Sequence, residues 1–322
     1  MNAVQVTEVG GPEVMVLREV PNPVPGKREV LIHIAAVGVN FIDIYVRSGR
    51  YGAPLPFIPG QEASGTIAAV GEEITELKVG DRVVWCSVPG TYAEYAVAPA
   101  GRVVVIPEKL DFKQAAAAML QGMTAHYLAY STYRVQKGDA VLIHAGAGGV
   151  GLLLTQVAKS LGARVFTTVS TEFKAELSRG AGADEVILYT EKDFSEEVKR
   201  LTDGQGVAVV YDSVGKTTFE QSLKSLRRRG TLVVYGSSGG AVPPFDIMQL
   251  TAFGSLHVTR PSLRDYSVTR SELEMRATEI MDSVANGSLK LRIDKTYPLA
   301  DAARAHQDLE GRKTTGKLLL IP

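Results

Sequence analysis

The sequence predicts an α/β chain: a doubly wound parallel sheet preceded by a small all-β unit. Three observations predict it. Residues 1–105 are a string of short β-branched runs separated by Gly and Pro. From Lys137 onward, strand and helix patterns alternate through six strands. The first of those strands, Ala140–Ala145, runs straight into Gly146-Ala147-Gly148-Gly149-Val150-Gly151 and then into an apolar helix. Many short strands with frequent turn residues predict a barrel or sandwich, and a β/α alternation predicts a parallel sheet with helices on both faces.

In chain order, the early strands are read at Val4–Val9, Met15–Val20, Glu29–Val37, Gly65–Val70, Asp81–Val84, Tyr92–Val97 and Val103–Ile106. Their punctuation includes Gly10-Gly11-Pro12, Pro21-Asn22-Pro23, Pro59-Gly60 and Pro89-Gly90. Lys113–Tyr133 is Ala-rich and helical in character, and reads as a connector. The later strands are Ala140–Ala145, Arg164–Val169, Glu185–Tyr189, Val207–Asp212, Thr231–Tyr235 and Ser255–Thr259. Helices are expected at Gly149–Leu161, Thr171–Ala181, Phe194–Thr202, Thr217–Leu226 and Asp246–Ala252. The tail reads as helix (Glu272–Gly287), strand (Lys290–Tyr297), helix (Leu299–Glu310) and strand (Gly316–Ile321). It has no sheet of its own to join, so it is expected to fold back onto the first β unit. The domain borders are set at 1–122, 123–260 and 261–322.

Composition narrows the function classes. The 322 residues are 45% hydrophobic and 22% charged, an ordinary globular profile. Lys plus Arg is 35 and Asp plus Glu is 35. With no basic surplus, sequence-blind attraction to nucleic acid or anionic lipid is not expected. The single cysteine, Cys86, excludes an intrachain disulfide and a multi-thiolate zinc site. The opening segment MNAVQVTEVGGPEVMVLREV has acidic residues and no apolar block, so no signal peptide is expected. The two longest uncharged stretches, Gln114–Tyr133 and Ala140–Ala158, are broken by polar residues and glycines and do not read as membrane spans. A cytoplasmic location is the expectation.

The glycine turn fits G-x-G-x-x-G in the strand–turn–helix context the motif requires. Glycines let backbone N–H groups approach a pyrophosphate, and the helix N-terminus adds a favourable dipole. The plainer reading is a turn that only packs helix on strand. An NAD-preferring site places an acid at the end of the second strand, to bind the ribose 2′-hydroxyl. Here Arg164–Val169 ends in Ser170-Thr171, with Lys174 one helical turn on. A hydroxyl and an ammonium suit the extra 2′-phosphate of NADPH. Glu172 complicates this reading unless it turns away toward the helix N-terminus; the alternative for Lys174 is a solvated lysine.

Several blocks carry a family resemblance. They are Asn40-Phe41-Ile42-Asp43-Ile44-Tyr45-Val46-Arg47-Ser48-Gly49, Gly60-Gln61-Glu62, Val79-Gly80-Asp81-Arg82-Val83, the glycine turn, Tyr211-Asp212-Ser213-Val214-Gly215, Val258-Thr259-Arg260-Pro261-Ser262-Leu263 and Leu318–Pro322. Along its whole length the chain resembles the medium-chain dehydrogenase/reductase superfamily. Within that superfamily it is most similar to the zinc-independent NADPH:quinone oxidoreductases, the zeta-crystallin-like group. The resemblance implies a GroES-like β-barrel-type catalytic domain, a Rossmann cofactor domain and a homodimer. Zinc alcohol dehydrogenases of the superfamily have a Cys ligand near the position of Asn40, and Gly-His-Glu where this chain has Gly60-Gln61-Glu62. Amides are poor zinc ligands, so no metal is expected, and hydrogen bonds must polarise the acceptor instead.

The implied activity is quinone reduction from nicotinamide C4. A quinone needs an apolar slot and donors at its carbonyl oxygens. The candidate group is Asn40, Asp43 and Tyr45, with Tyr51 at the slot. Asn40 with Asp43 also reads as a helix N-cap arrangement stopped at Gly49, and Tyr45 as packed core. The resemblance further implies Asn40, Thr124 and Tyr127 at the nicotinamide, and Gly149 and Val150 beside Gly146, Gly148 and Gly151 at the pyrophosphate. It groups Ser170, Lys174, Tyr189 and Arg312 around the 2′-phosphate. Ser213, Gly236, Ser237 and Ser238 follow strands of the sheet at their C-terminal ends, where ligands bind in such folds, and Arg260 follows the sixth strand.

The histidines His33, His126, His144, His257 and His306 lack metal-ligand spacing and are read as packing or surface residues. Cys86 is read as a buried small hydrophobe, and Arg227-Arg228-Arg229 as a solvated run near a helix end. Two other readings of the whole remain. One is an NADPH-dependent reductase of activated C=C bonds in enals or enones. The other is a cofactor-binding crystallin-like or RNA-binding protein, which the balanced charge argues against. The apolar edge strand Ser255–Thr259 is expected to pair with a second copy.

Overall fold

A short strand pair starts the chain. β1 (Asn2–Val6) and β2 (Met15–Glu19) form an antiparallel pair. β3 (Glu29–Val39) buries Val30, Ile32 and Ile34 and leaves His33 outside. A seven-residue helix, α1 (Phe41–Arg47), interrupts the strands; then follow β4 (Glu62–Val70), β5 (Arg82–Cys86), β6 (Tyr95–Pro99), β7 (Val103–Val105) and α2 (Phe112–Tyr127). The alternating part then runs β8 (Ala140–His144), α3 (Gly149–Ser160), β9 (Arg164–Val169), α4 (Glu172–Gly180), β10 (Glu185–Leu188), α5 (Phe194–Leu201), β11 (Val207–Asp212), α6 (Phe219–Ser225), β12 (Leu226–Val234), α7 (Gln249–Ala252) and β13 (His257–Thr259). The tail is α8 (Arg270–Ala285), β14 (Ile293–Pro298), α9 (Ala302–Glu310) and β15 (Lys317–Ile321).

The computed structural model describes residues 1–322 and divides into two units, Met1–Met123 with Ser267–Pro322, and Thr124–Tyr266. The sequence borders at 122/123 and 260/261 differ from these by one and six residues. The later border moves because the turn Leu263–Tyr266 stays with the second unit, where Tyr266 stacks on Tyr127 at 4.6 Å.

In the first unit the sheet order is β14-β15-β3-β4-β5-β7, with β6 also on β3. The tail joins this sheet through β15, antiparallel to β3, with Leu319 opposite Gly38. Trp85, Ile32, Ile67, Tyr92, Leu318 and Leu320 are among its fully buried side chains.

In the second unit all strands are parallel, in the order β10-β9-β8-β11-β12-β13. The order reverses direction between β8 and β11, which is where a doubly wound sheet opens a ligand crevice at its strand C-termini. Three sequence expectations shift here. The first strand stops at His144, because Ala145 already takes φ 54°, a left-handed conformation that starts the turn. The helix expected at Asp246–Ala252 shrinks to α7. Arg227-Arg228-Arg229, exposed as expected, follows Leu226 within β12 itself, just past the end of α6.

Candidate active site

In the second unit, the turn between β8 and α3 is as tight as its sequence suggests. A Cβ on Gly151 would lie 2.2 Å from the Ala145 carbonyl oxygen, and one on Gly146 would lie 2.6 Å from Thr167 Cβ. Gly148 is the N-cap of α3 and supplies no side chain to cap it, so the first turn of the helix keeps its amides for another acceptor. Gly149 and Val150 open that first turn. The turn is braced from below by a buried polar chain that the sequence reading did not find. His144 Nδ1 meets Thr168 Oγ1 at 2.8 Å and His144 Nε2 meets Ser222 Oγ at 2.9 Å. Ser222 donates to Asp212, which also accepts from the Val214 and Gly215 amides. Burial pulls the His144 imidazole below its ordinary range; it packs edge-on against Phe194 at 4.7 Å, as expected of a packing residue, and is also a neutral hydrogen-bonding group.

The ends of β9 and β10 bring together three of the residues expected at a 2′-phosphate. The Tyr189 amide donates to the Val169 carbonyl and Thr190 Oγ1 donates to the Ser170 carbonyl, so Ser170 and Tyr189 sit side by side. Lys174 stands one turn into α4, where its amide is capped by Thr171 Oγ1. Glu172, the complicating acid, is engaged by Arg179 at 2.5 Å. Arg312 belongs to the other unit, after α9, at φ 55°.

The ends of β11 and β12 bring together Ser213, Gly236, Ser237 and Ser238. The Ser238 amide and hydroxyl both donate to the Ser213 carbonyl, at 3.0 and 3.2 Å. Arg260 donates to the Val234 carbonyl at 3.0 Å. Thr124 and Tyr127 are buried on and near the last turn of α2. Burial, with Tyr235 and Tyr266 nearby, holds the Tyr127 phenol well above its ordinary range, so it is a neutral donor.

In the first unit, α1 carries the four expected catalytic positions or leads to them. Tyr45 is buried, Tyr51 packs edge-on against it at 5.5 Å, and the Arg50 guanidinium lies over its ring at 4.6 Å. Tyr51 is partly exposed. Asn40 and Asp43 are turned inward. The Asp43 carboxylate accepts from the Asn40 main-chain N–H at 2.9 Å and from Tyr92 Oη at 3.1 Å, and it is 1% exposed. Asp43 is therefore a hub for the start of α1, which corrects its expected place at a substrate surface. Burial lifts its pKa to about 7, against the opposing pull of the Asn40 amide, Lys317 and Tyr92.

Beyond Asp43 the network continues into α9. Tyr92 Oη meets His306 Nε2 at 2.8 Å, Arg47 meets His306 Nδ1 at 3.0 Å, and Arg47 pairs with Glu310 at 2.8 Å. An arginine has no acceptor, so Nδ1 must accept and the imidazole proton lies on Nε2. The chain is then directional: His306 donates to Tyr92, and Tyr92 donates to Asp43. Burial and the Arg47 charge bring the His306 pKa down to about 3. Cys86 is fully buried, and burial pushes its thiol up to about 12, as suits a small core residue.

A second buried cluster surrounds Asn40. Its Nδ2 donates to Glu62 Oε2 at 2.9 Å and to the Gly38 carbonyl at 3.2 Å. Its Oδ1 accepts from Lys317 Nζ at 2.9 Å and Gln121 Nε2 at 3.4 Å. Lys317 also pairs with Glu62, which accepts from the Leu120 amide. Neither Glu62 nor Lys317 is among the site residues expected from the sequence. One signal was available: a carboxylate opening an apolar strand and a lysine opening Leu-Leu-Leu-Ile have to find partners.

Two family models match the chain, "Alcohol dehydrogenase GroES-like domain" over residues 26–108 and "Zinc-binding dehydrogenase" over residues 149–279. A quinone oxidoreductase of Pseudomonas aeruginosa is 44% identical over 321 residues, 99% of each chain. The chain belongs to the quinone oxidoreductase family of the medium-chain dehydrogenase/reductases. A 2-haloacrylate reductase of a Burkholderia species is 41% identical over 329 residues, 99% of this chain and 98% of that one. The crystal structure of the Escherichia coli quinone oxidoreductase complexed with NADPH superposes with a TM-score of 0.98 at 43% identity, covering 100% of both chains. The zinc in the second family model's description does not suit Asn40, which stands near the position of a Cys ligand in the zinc alcohol dehydrogenases. Asn40 offers an amide already committed on both of its polar atoms, and an ammonium is bound to its oxygen.

Proposed function

We propose that this chain binds NADPH and passes reducing equivalents from nicotinamide C4 to a quinone. The observation that carries the reading is the set of groups at the end of β9. No acid ends β9 where a ribose 2′-hydroxyl would be bound, Ser170 and Lys174 follow the strand instead, and Glu172 is held by Arg179. The glycine turn seats the pyrophosphate on the N-terminus of α3 through Gly146, Gly148, Gly149, Val150 and Gly151. Ser170, Lys174 and Tyr189 hold the 2′-phosphate. Ser213, Gly236, Ser237, Ser238 and Arg260 line the middle of the cofactor, and Thr124 and Tyr127 its nicotinamide. NADPH supplies the hydride; the protein orients the ring, excludes water and hydrogen-bonds the acceptor. Tyr45 and Tyr51 form the aromatic wall for a planar acceptor, with Asn40 and Asp43 fixing the helix start beneath them.

The test is NADPH oxidation with a panel of quinones, paired with cofactor titrations. The wild-type chain is expected to turn over quinones with NADPH in preference to NADH. Lys174→Ala is expected to weaken NADPH binding roughly tenfold and leave NADH binding within twofold, since tenfold corresponds to about 1.4 kcal/mol, the size of one charge-assisted contact. A panel with no quinone turnover, or equal losses for both cofactors, would overturn the reading. The 41% identity to a 2-haloacrylate reductase supports a second reading, reduction of an activated C=C bond, which needs the same hydride geometry. Turnover of alkenals without turnover of quinones would select it.

We further propose that the chain works in the cytoplasm as a homodimer; no helix is long and apolar enough to cross a membrane. β13 pairs on one side with β12 and ends the sheet order. Ile247 and Met248 are exposed shortly before it. An open edge of this kind is a template for a second copy. Sedimentation velocity is expected to give twice the chain mass at micromolar concentration, and a monomer there would exclude the arrangement.

A further inference from the structure

We propose that Lys317 and Glu62 are positioning residues that lock the Asn40 side-chain amide and, through it, the start of α1. The inference deepens the quinone-reductase reading and rests on it for its kinetic arm alone. Four segments meet at this point: the end of β3 with Asn40, the start of β4 with Glu62, α2 with Leu120 and Gln121, and the start of β15 with Lys317. Lys317, Glu62 and Asn40 are 2%, 0% and 5% exposed.

The chemistry of the partners fixes the amide. An ammonium has only donors, so Asn40 Oδ1 must face Lys317. An ionised carboxylate has only acceptors, so Asn40 Nδ2 must face Glu62. Flipping the amide would set oxygen against carboxylate and N–H against ammonium, two repulsive contacts in a dry site. The pocket is also closed by shape, since a Cβ on Gly38 would collide with Glu62 Oε2 and, at 2.8 Å, with Lys317 Cε. A buried ion pair contributes little to stability over an apolar replacement of equal size, because desolvation offsets its attraction. Its contribution lies in what it orients. With both Asn40 amide hydrogens directed inward, Asn40 cannot act as a free donor at a quinone oxygen. Its role is to hold α1, and with it Tyr45, in place and to orient the Gln121 amide that donates to it.

The test uses the full chain carrying Lys317→Met together with Glu62→Gln, which removes both charges at nearly constant volume and leaves no unpaired ion. The pair of changes is expected to shift the melting temperature by no more than a few degrees. It is expected to lower kcat for quinone reduction at least tenfold while KM for the quinone stays within threefold. In an Asn40→Ala background the same pair is expected to cost less than a further twofold, since the amide it acts through is gone. A loss in kcat below twofold, a loss that falls on KM, or an undiminished loss in the Asn40→Ala background would overturn the proposal. Should the wild-type chain reduce no quinone, the lock is read by nitrogen-15 NMR of the Asn40 side-chain amide, assigned by its absence in Asn40→Ala. Its protons are expected to exchange with water at least tenfold faster in the Lys317→Met/Glu62→Gln chain. An unchanged exchange rate would dismiss the lock whatever the enzyme's substrate.

Discussion

Gly151→Ala is expected to abolish measurable NADPH binding and to lower the melting temperature of the chain. The reason lies in what the new Cβ meets. It would sit 2.2 Å from the Ala145 carbonyl oxygen, 3.0 Å from its carbon and 3.1 Å from Gly146 Cα. All three are main-chain atoms, so no flexible side chain can yield. The helix N-terminus has to move off β8, and the turn with it. Overpacking of this kind costs about 1–3 kcal/mol or more, and Ala145 at φ 54° is already in a region that non-glycine residues rarely occupy. Gly148→Ala separates fold from ligand. A Cβ there finds its nearest neighbour, the Ala145 carbonyl oxygen, at 3.2 Å, which a small adjustment relieves. That variant is expected to melt near wild type and still bind NADPH at least tenfold more weakly, because the added methyl stands where the pyrophosphate approaches the backbone. Fluorescence titration and a thermal melt on both variants check the pair. Gly151→Ala with a wild-type dissociation constant would remove the glycine turn from the cofactor site.

This contrast shows why one unit could be read from the sequence and the other only in outline. The turn, the strand before it and the helix after it are contiguous, and their glycines and apolar periodicity are local signals. The missing acid after β9 and Lys174 one turn later are local as well. The first unit's polar groups are not. Lys317 and Glu62 are 255 residues apart in sequence, and Arg47 and Glu310 are 263 apart. His306 shows no ligand spacing, so nothing near it in sequence marks it as a partner of Tyr92. Asp43 illustrates the limit from the other side. Its spacing from Asn40 fits both a helix start and a substrate contact, and only the Tyr92 hydroxyl packed on its carboxylate decides for the helix start.

The same buried network yields the last expected result, a pH profile whose two halves are separable by mutation. Asp43 has a folded pKa of about 7 against an unfolded value of 3.8. Between those values the folded chain holds a proton that the unfolded chain releases, so this residue's contribution is full below about pH 4 and is lost as pH rises toward 7. His306 has a folded pKa of about 3 against 6.5. There the unfolded chain holds the extra proton, so stability is lost as pH falls from 6.5 toward 3. The two slopes oppose one another between about pH 4 and 6.5 and largely cancel in the wild-type chain. Asp43→Asn keeps acceptors for the Asn40 amide and the Tyr92 hydroxyl but cannot titrate. It is expected to gain on the wild type by roughly 1.4 kcal/mol per pH unit between pH 4.5 and 6.5. His306→Gln, which can still accept from Arg47 and donate to Tyr92, is expected to lose against the wild type over the same interval with the opposite slope. Trp85 is the single tryptophan and is fully buried in the first unit, so its emission during urea unfolding reports on this unit. Unfolding free energies of both variants that run parallel to the wild type from pH 4.5 to 6.5 would show that Asp43 and His306 do not titrate as their burial requires.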